Sequence, residues 1–340
     1  MNYKKTKRNS ELKSPSGFLV NAHTHAAMVA FRGVAEDVPL EKWLNDYIWP
    51  AEKEQVSAEF VYKNSKKAIK EMKQNGIAAF CDMYFFQDQV AKAAKEEGVQ
   101  AVIGEVILDF PTPSSKAPQE ALQITERLLK KYLNDPDISV AVAPHSIYAV
   151  SKEILVAAKE LARKYDAIYH IHVAETKREF DECLEKNKLT PVAYLDSLGI
   201  LDEKTLLAHC VWVTDEDIEI LARRKSSVAH CPLSNLKLGS GVAPISKMIR
   251  KGVNVCLGTD GAASSNRLDI WEAGKFAALL QKGLSLSPEE MPIEQVLNLM
   301  TINGMRALGI EKVGGKTIDQ IKSLLKEEYT NSALYELNYY

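Results

Sequence analysis

Eight short apolar runs alternate along the chain with longer segments in which apolar residues recur every three or four positions. The runs are Gly17–Asn21, Ile77–Met83, Val99–Leu108, Ile138–Pro144, Ala167–Ala174, Thr205–His209, Ser226–His230 and Val253–Gly258. Each has strand length. Between them lie Ala58–Gln74, Gln87–Glu97, Gln119–Tyr132, Lys152–Lys164 and Asp215–Arg224. Within Lys152–Lys164, Leu155, Ala158, Leu161 and Ala162 form one stripe, the spacing of an amphipathic helix. Strands alternating with helices predict an α/β fold with a parallel sheet, and eight of them predict closure into a (β/α)8 barrel of the TIM type. A doubly wound open sheet is the alternative, but no GxGxxG follows the first run.

The ends are read separately. Residues 1–16 are polar and are expected to form a poorly ordered tail. Residues 17–310 hold the barrel pattern, and 311–340 form a C-terminal extension. There Thr317–Glu328 predicts an amphipathic helix with Ile318, Ile321, Leu324 and Leu325 on one face, before a Tyr-rich end.

Composition narrows the classes. At 340 residues and 46% hydrophobic, the chain can bury a large core. Its formal charge is -2, and no long basic run appears beyond the short KKTKR near the start, so nucleic acid is not an expected partner. The apolar stretches are strand-sized, which argues against a membrane span. No apolar segment follows the basic N-terminus, so no secretory signal is read. The five cysteines are odd in number and lack a CxxC pair. They read as buried, reduced thiols of a cytoplasmic protein rather than a zinc–thiolate site.

Ionisable residues collect where the strand-like runs end. His23 and His25 follow the first, His145 the fourth, and His170, His172 and Glu175 mark the fifth. His209, His230 and Asp260 end the sixth, seventh and eighth. All seven histidines thus fall at strand ends, where a barrel builds its active site. Residues i and i+2 of a strand face the same side, so His23 and His25 can share one metal ion. His170 and His172 also face one side, and the spacing to Glu175 favours His172 as the ligand.

The stretches NAHTHAAMVAFRGVAEDVPLEKWLNDYIWPAE, CDMYFF, APHS, HIHVAET, LLAHCVWVTDE, HCPLSNLKLGSGVAP and LGTDGAASSN span most of the chain. Together they resemble the amidohydrolase superfamily, and within it the 5-methylthioadenosine/S-adenosylhomocysteine deaminases. The resemblance implies a (β/α)8 barrel and hydrolytic removal of the amino group from an adenosine-type nucleoside. It assigns His23, His25, His172 and Asp260 to one divalent cation, zinc first and ferrous iron as the alternative. It places His209 beside the attacking water, as an orienting group or a further ligand, and makes Glu175 the proton shuttle. It gives Glu52 the ribose hydroxyls and His145 the base or ribose. Trp43, Met28, Phe85 and Phe86 are candidates to shape the pocket.

Blander readings stand for the rest. His230 reads as a polar strand-end residue, Asp82 and Asp109 as turn or capping residues, and Ser234 and Asn235 as loop-fixing hydrogen bonders. Relatives carry an accessory β-sandwich built from residues before and after the barrel. Here only sixteen residues precede GFLVNAHTH and no strand-rich tail follows RALGIEK, so that sandwich is expected to be largely missing. Apolar surface it would cover then needs the terminal helix or a second copy of the chain, a homo-oligomer. Some relatives hold the amino-acid carboxylate of S-adenosylhomocysteine with basic residues after the third strand. This chain has Glu105 there, and its loop offers only Lys116, so neutral 5′ groups are expected. The competing functions are another mononuclear hydrolase (guanine or cytosine deaminase, triazine chlorohydrolase) and a metal-binding barrel without turnover. A binuclear enzyme would want a modified lysine where this chain has Ala143-Pro144-His145.

Overall fold

Parallel strands succeed one another in chain order around a ring. In the computed structural model, which describes residues 17–328, β1 (Leu19–Thr24) pairs with β2 (Ile77–Tyr84) and β2 with β3 (Gln100–Ile107). β3 pairs with both β4 (Ile138–Val140) and β5 (Ala143–Pro144). A second run follows: β6 (Tyr169–Val173), β7 (Thr205–His209), β8 (Ser227–His230) and β9 (Asn254–Leu257). Bridges Val142–Tyr169 and Ser146–His172 join the two runs on one side. On the other, Asp260 N donates to His23 O at 3.0 Å and Thr259 N to Asn21 Oδ1 at 3.0 Å. The parallel α/β arrangement is the predicted one. The predicted tail 1–16 and the Tyr-rich end lie outside the described residues.

Most strands differ from their predicted spans by a few residues at the ends, and the fourth differs in kind. Ala141 N still donates to Ile103 O of β3, but Val142 N donates to Ile168 O beside β6. The chain changes partners there, so one predicted strand appears as two short ones. The strands are buried on both faces, β1 and β6 along their whole length. That is why the sequence shows continuous apolar runs instead of alternation.

Local signals set the helices. Ala58–Gln74 starts at Ser57, whose hydroxyl accepts from Phe60 N at 3.2 Å. Asp215–Arg224 opens with a Thr214/Asp217 capping box and ends in left-handed Lys225. In Lys152–Lys164 the predicted stripe faces the core: Leu155, Ala158 and Ala162 are buried and Leu161 half-buried. Several helices lie outside the predicted segments, among them Lys177–Asn187, Ile270–Ser285 and Ile293–Met300. Another such region borders the mouth of the barrel. Leu40–Lys42, a π-helical stretch Trp43–Ile48 and Trp49–Gln55 run on from one another. Pro50 breaks the pattern in sequence, yet it sits in the first turn of the last piece, where its missing N–H costs nothing.

Beyond the barrel, β10 (Lys312–Val313) and β11 (Lys316–Thr317) form a small antiparallel hairpin. Helix Ile318–Glu328 follows, with Ile321 and Leu325 buried and Ile318 packed on the core. Among the described residues no helix is long and apolar enough to cross a membrane.

The backbone leaves several strands through left-handed residues that are not glycine: Phe86 (φ 50°), Ala174 (52°), His209 (74°), Cys210 (47°) and Asp260 (60°). They mark where the chain turns out of the sheet at the C-terminal mouth of the barrel.

Candidate active site

Four imidazoles converge at that mouth, and each is held by its Nδ1. His25 Nδ1 meets the Met83 carbonyl, His172 Nδ1 the His145 carbonyl at 2.7 Å, and His209 Nδ1 the Asn235 Oδ1 at 2.8 Å. His23 Nδ1 lies 2.9 Å from His170 Nε2. Carbonyl oxygens only accept, so His25 and His172 carry their protons on Nδ1 and turn Nε2 lone pairs inward. This is the outer-shell pattern of metal-binding histidines.

The inward atoms have the spacing of one coordination sphere. His23 Nε2 and His25 Nε2 lie 3.4 and 3.2 Å from Asp260 Oδ1, and the Nε2 atoms of His25 and His172 are 3.3 Å apart. Tetrahedral ligands about 2.0–2.1 Å from a zinc-sized ion sit roughly 3.3–3.4 Å from one another. His23 Nε2 is buried without a hydrogen-bond partner. Such an orphan at the centre of three other donors fits a cation. His23, His172 and His209 also make a compatible group, so His209 keeps both its roles, ligand or orienting base.

Asp260 is fixed from its other side. Oδ2 accepts from Ser234 Oγ at 2.5 Å and Ser264 Oγ at 2.8 Å, while Oδ1 accepts from Gly261 N at 2.8 Å. Burial alone would raise its pKa, but His23 and His25 hold it well below the carboxylate range. Burial likewise opposes the charging of His25, yet Asp260 raises it to about 9. Burial lowers His23 to about 4. Asp260 thus draws positive charge to its side of the cluster.

A pocket opens above these groups. His25, Glu52, His145, His172, Glu175, His209 and Asp260 all line it, so all but one of the predicted site residues border one space. The exception, His23, lies just beneath at 0% exposure. Glu175 is buried, its Oε2 3.7 Å from His209 Nε2, and burial raises its pKa. Glu52 comes from helix Trp49–Gln55; burial raises it to about 7, against the pull of Tyr84 and His25. His145 is lowered to about 3, by burial first and then by the neighbouring imidazoles. Trp43, Met28 and Phe85 line the wall as expected, and Trp43 Nε1 is a buried donor with no partner.

Some expectations change. Phe86 is absent from the wall. Glu105 does not face the pocket: its carboxylate is buried on the outer side, accepting from Phe86 N, Gln87 N and Ser114 Oγ. It therefore cannot repel a substrate carboxylate. Ser234 and Asn235 do more than fix a loop, since they hold Asp260 and His209. Nothing in the sequence marked Ser264 except its position four residues after Asp260. Glu179 was also overlooked; its carboxylate accepts from Ala174 N (2.8 Å) and Glu175 N (2.9 Å) and so pins the turn that carries Glu175. Asp82 anchors a turn, accepting from Ala26 N and Gln87 Nε2 at 2.6 Å each, and Asp109 accepts from Ser151 N at 2.8 Å. His230 is buried outside the pocket lining.

The model of the amidohydrolase family matches residues 17–317. The chain belongs to that family. This amidohydrolase is 47% identical over 293 residues to a 5-methylthioadenosine/S-adenosylhomocysteine deaminase of Thermodesulfovibrio yellowstonii, covering 86% of this chain and 67% of the relative. It is 44% identical over 295 residues to a 5′-deoxyadenosine deaminase of Methanothermobacter thermautotrophicus, covering 86% and 68%. Among solved structures, a zinc-bound adenosine deaminase from Xanthomonas campestris aligns with a TM-score of 0.88 and 36% identity, over 94% of this chain and 75% of that one. A zinc-complexed atrazine chlorohydrolase from Arthrobacter aurescens shares the fold, with a TM-score of 0.82 at 22% identity over 88% and 72% of the two chains.

Proposed function

We propose that this amidohydrolase hydrolyses the C6–amino bond of adenosine-type nucleosides, such as 5-methylthioadenosine, 5′-deoxyadenosine and adenosine, to the inosine analogue and ammonia. The observation that carries the reading is the shared pocket: an acid of raised pKa, Glu175, borders the same space as the imidazole–Asp260 cluster and Glu52. The names of the relatives point the same way.

His23, His25, His172 and Asp260 are the residues that would hold one divalent cation, with zinc preferred because a zinc-bound relative shares the fold at 36% identity. When bound, the cation supplies the Lewis acidity that makes a water nucleophilic near neutral pH. Asp260, ionised and held by Ser234 and Ser264, is the acceptor for the water proton. The oxygen adds to C6, which breaks the ring's aromaticity, and N1 must be protonated as the bond forms. Glu175 in its acid form donates that proton, and burial keeps the acid form accessible. Breaking the C6–N bond then needs a proton on the departing amine: Glu175 relays the one that the C6 hydroxyl loses as it becomes a carbonyl, and the proton held on Asp260 finally restores the acid form of Glu175. His209, fixed by Asn235, orients the water beside Glu175. Glu52 accepts the ribose hydroxyls, and His145 contacts the base or the sugar.

The test is ammonia release from methylthioadenosine by zinc-loaded protein, beside Glu175→Gln. The wild type should turn over, while the variant keeps its zinc and loses about 10²–10⁴ in rate. Wild type and variant equally inert with metal bound would mean a barrel without turnover. Faster turnover of guanine, cytosine or a triazine would move the assignment to another hydrolase of this fold.

A further inference from the structure

We infer that His170 and Cys81 form a buried hydrogen-bond chain that sets the tautomer of His23 and thereby makes it able to bind the cation. The inference rests on the reading of His23 as a ligand. His25 and His172 have their tautomers dictated by backbone carbonyls, which cannot donate. His23 has no such partner. Its Nδ1 faces another imidazole, the Nε2 of His170 at 2.9 Å, and either nitrogen is able to be the donor.

Only one arrangement leaves a lone pair on His23 Nε2. His23 Nδ1 must carry the proton and donate it, so His170 Nε2 must accept. A neutral His170 then carries its own proton on Nδ1, and Cys81 Sγ stands 3.4 Å away to accept it. Both imidazoles and the thiol are fully enclosed, at 0% exposure, so no solvent substitutes for a missing partner. A sulfur that accepts there keeps the His170 proton on Nδ1; a thiol that donated instead would leave it on Nε2, reverse the chain and move the proton of His23 to the atom that should face the ion. His170 is thus a positioning residue acting through His23, and Cys81 acts through His170.

The readout is zinc affinity, measured by competition with a chromophoric chelator on the full chain, with nitrogen NMR of the histidines. His170→Leu removes the acceptor and should weaken zinc binding about 10–100-fold, the usual cost of losing an outer-shell partner. His170→Gln, whose side-chain oxygen only accepts, should restore most of it. Cys81→Ser should bind zinc nearly as the wild type does, and Cys81→Ala less well. In zinc-loaded wild type the His170 proton should reside on Nδ1. Thermal unfolding of each metal-stripped variant separates loss of fold from loss of affinity. His170→Leu that is folded and binds zinc as the wild type does, or a His170 proton on Nε2, overturns the inference. Wild type that binds no divalent ion at all defeats the ligand reading instead.

Discussion

Replacing Gly258 by alanine probes whether the site depends on how closely β9 approaches β1. A Cβ built on Gly258 would sit 2.8 Å from His23 Cβ, 2.9 Å from His23 O and 3.0 Å from Cys231 Sγ. Ordinary carbon contacts are about 3.5–4.0 Å. Two of the three obstacles belong to the β1 backbone and to the first atom of the His23 side chain, neither of which can swing aside. The strands must therefore part by about half an ångström or more. Overpacking of this kind costs about 1–3 kcal/mol of stability. His23 moves with β1, and because a displacement of about 1 Å at a reacting centre can cost 10²-fold, roughly a tenfold loss of kcat/KM is expected. Urea denaturation of the metal-stripped protein reads the first effect, and ultraviolet kinetics with methylthioadenosine read the second. Gly283→Ala is the control: it lies in helix Ile270–Ser285 with nothing within 4 Å of a new Cβ, and should gain about 0.5 kcal/mol. If Gly258→Ala matches the wild type in unfolding midpoint and turnover, the claim of close approach is wrong.

Two further outcomes are expected. Glu52→Gln removes a charged acceptor of the ribose hydroxyls, worth about 1.5–3 kcal/mol, so KM for nucleosides should rise roughly tenfold or more while kcat changes little; an unchanged KM would remove Glu52 from ribose recognition. No lysine or arginine is among the residues that line the pocket, so the amino-acid carboxylate of S-adenosylhomocysteine finds no cation there. Methylthioadenosine should therefore exceed S-adenosylhomocysteine in kcat/KM, and equal values would refute this.

The sequence carried the barrel because most strands are buried on both faces and helices such as Lys152–Lys164 show one apolar stripe; both patterns survive without knowledge of contacts. The candidate ligand set was legible for a similar reason. Strand periodicity puts His23 beside His25, and strand ends meet at one rim. What sequence could not supply was direction. Glu105 lies near the end of the third strand, yet its side chain turns outward to three donors, and no spacing rule reveals that. Ser234 and Ser264 approach Asp260 from different elements, and such contacts across the ring leave no local pattern. His170 was set aside in favour of His172, although both face inward: one reaches the pocket and the other supports its neighbour from below.

The left-handed residues at the strand ends have an evolutionary consequence. Selection for heat tolerance alone would favour glycine at Ala174, where a side chain is strained at φ 52°. Yet a freer joint there would let Glu175 sample more directions, and the enzyme would trade turnover for endurance. Tension in those few torsions is what keeps the acid aimed, so lineages of this fold should relax it last.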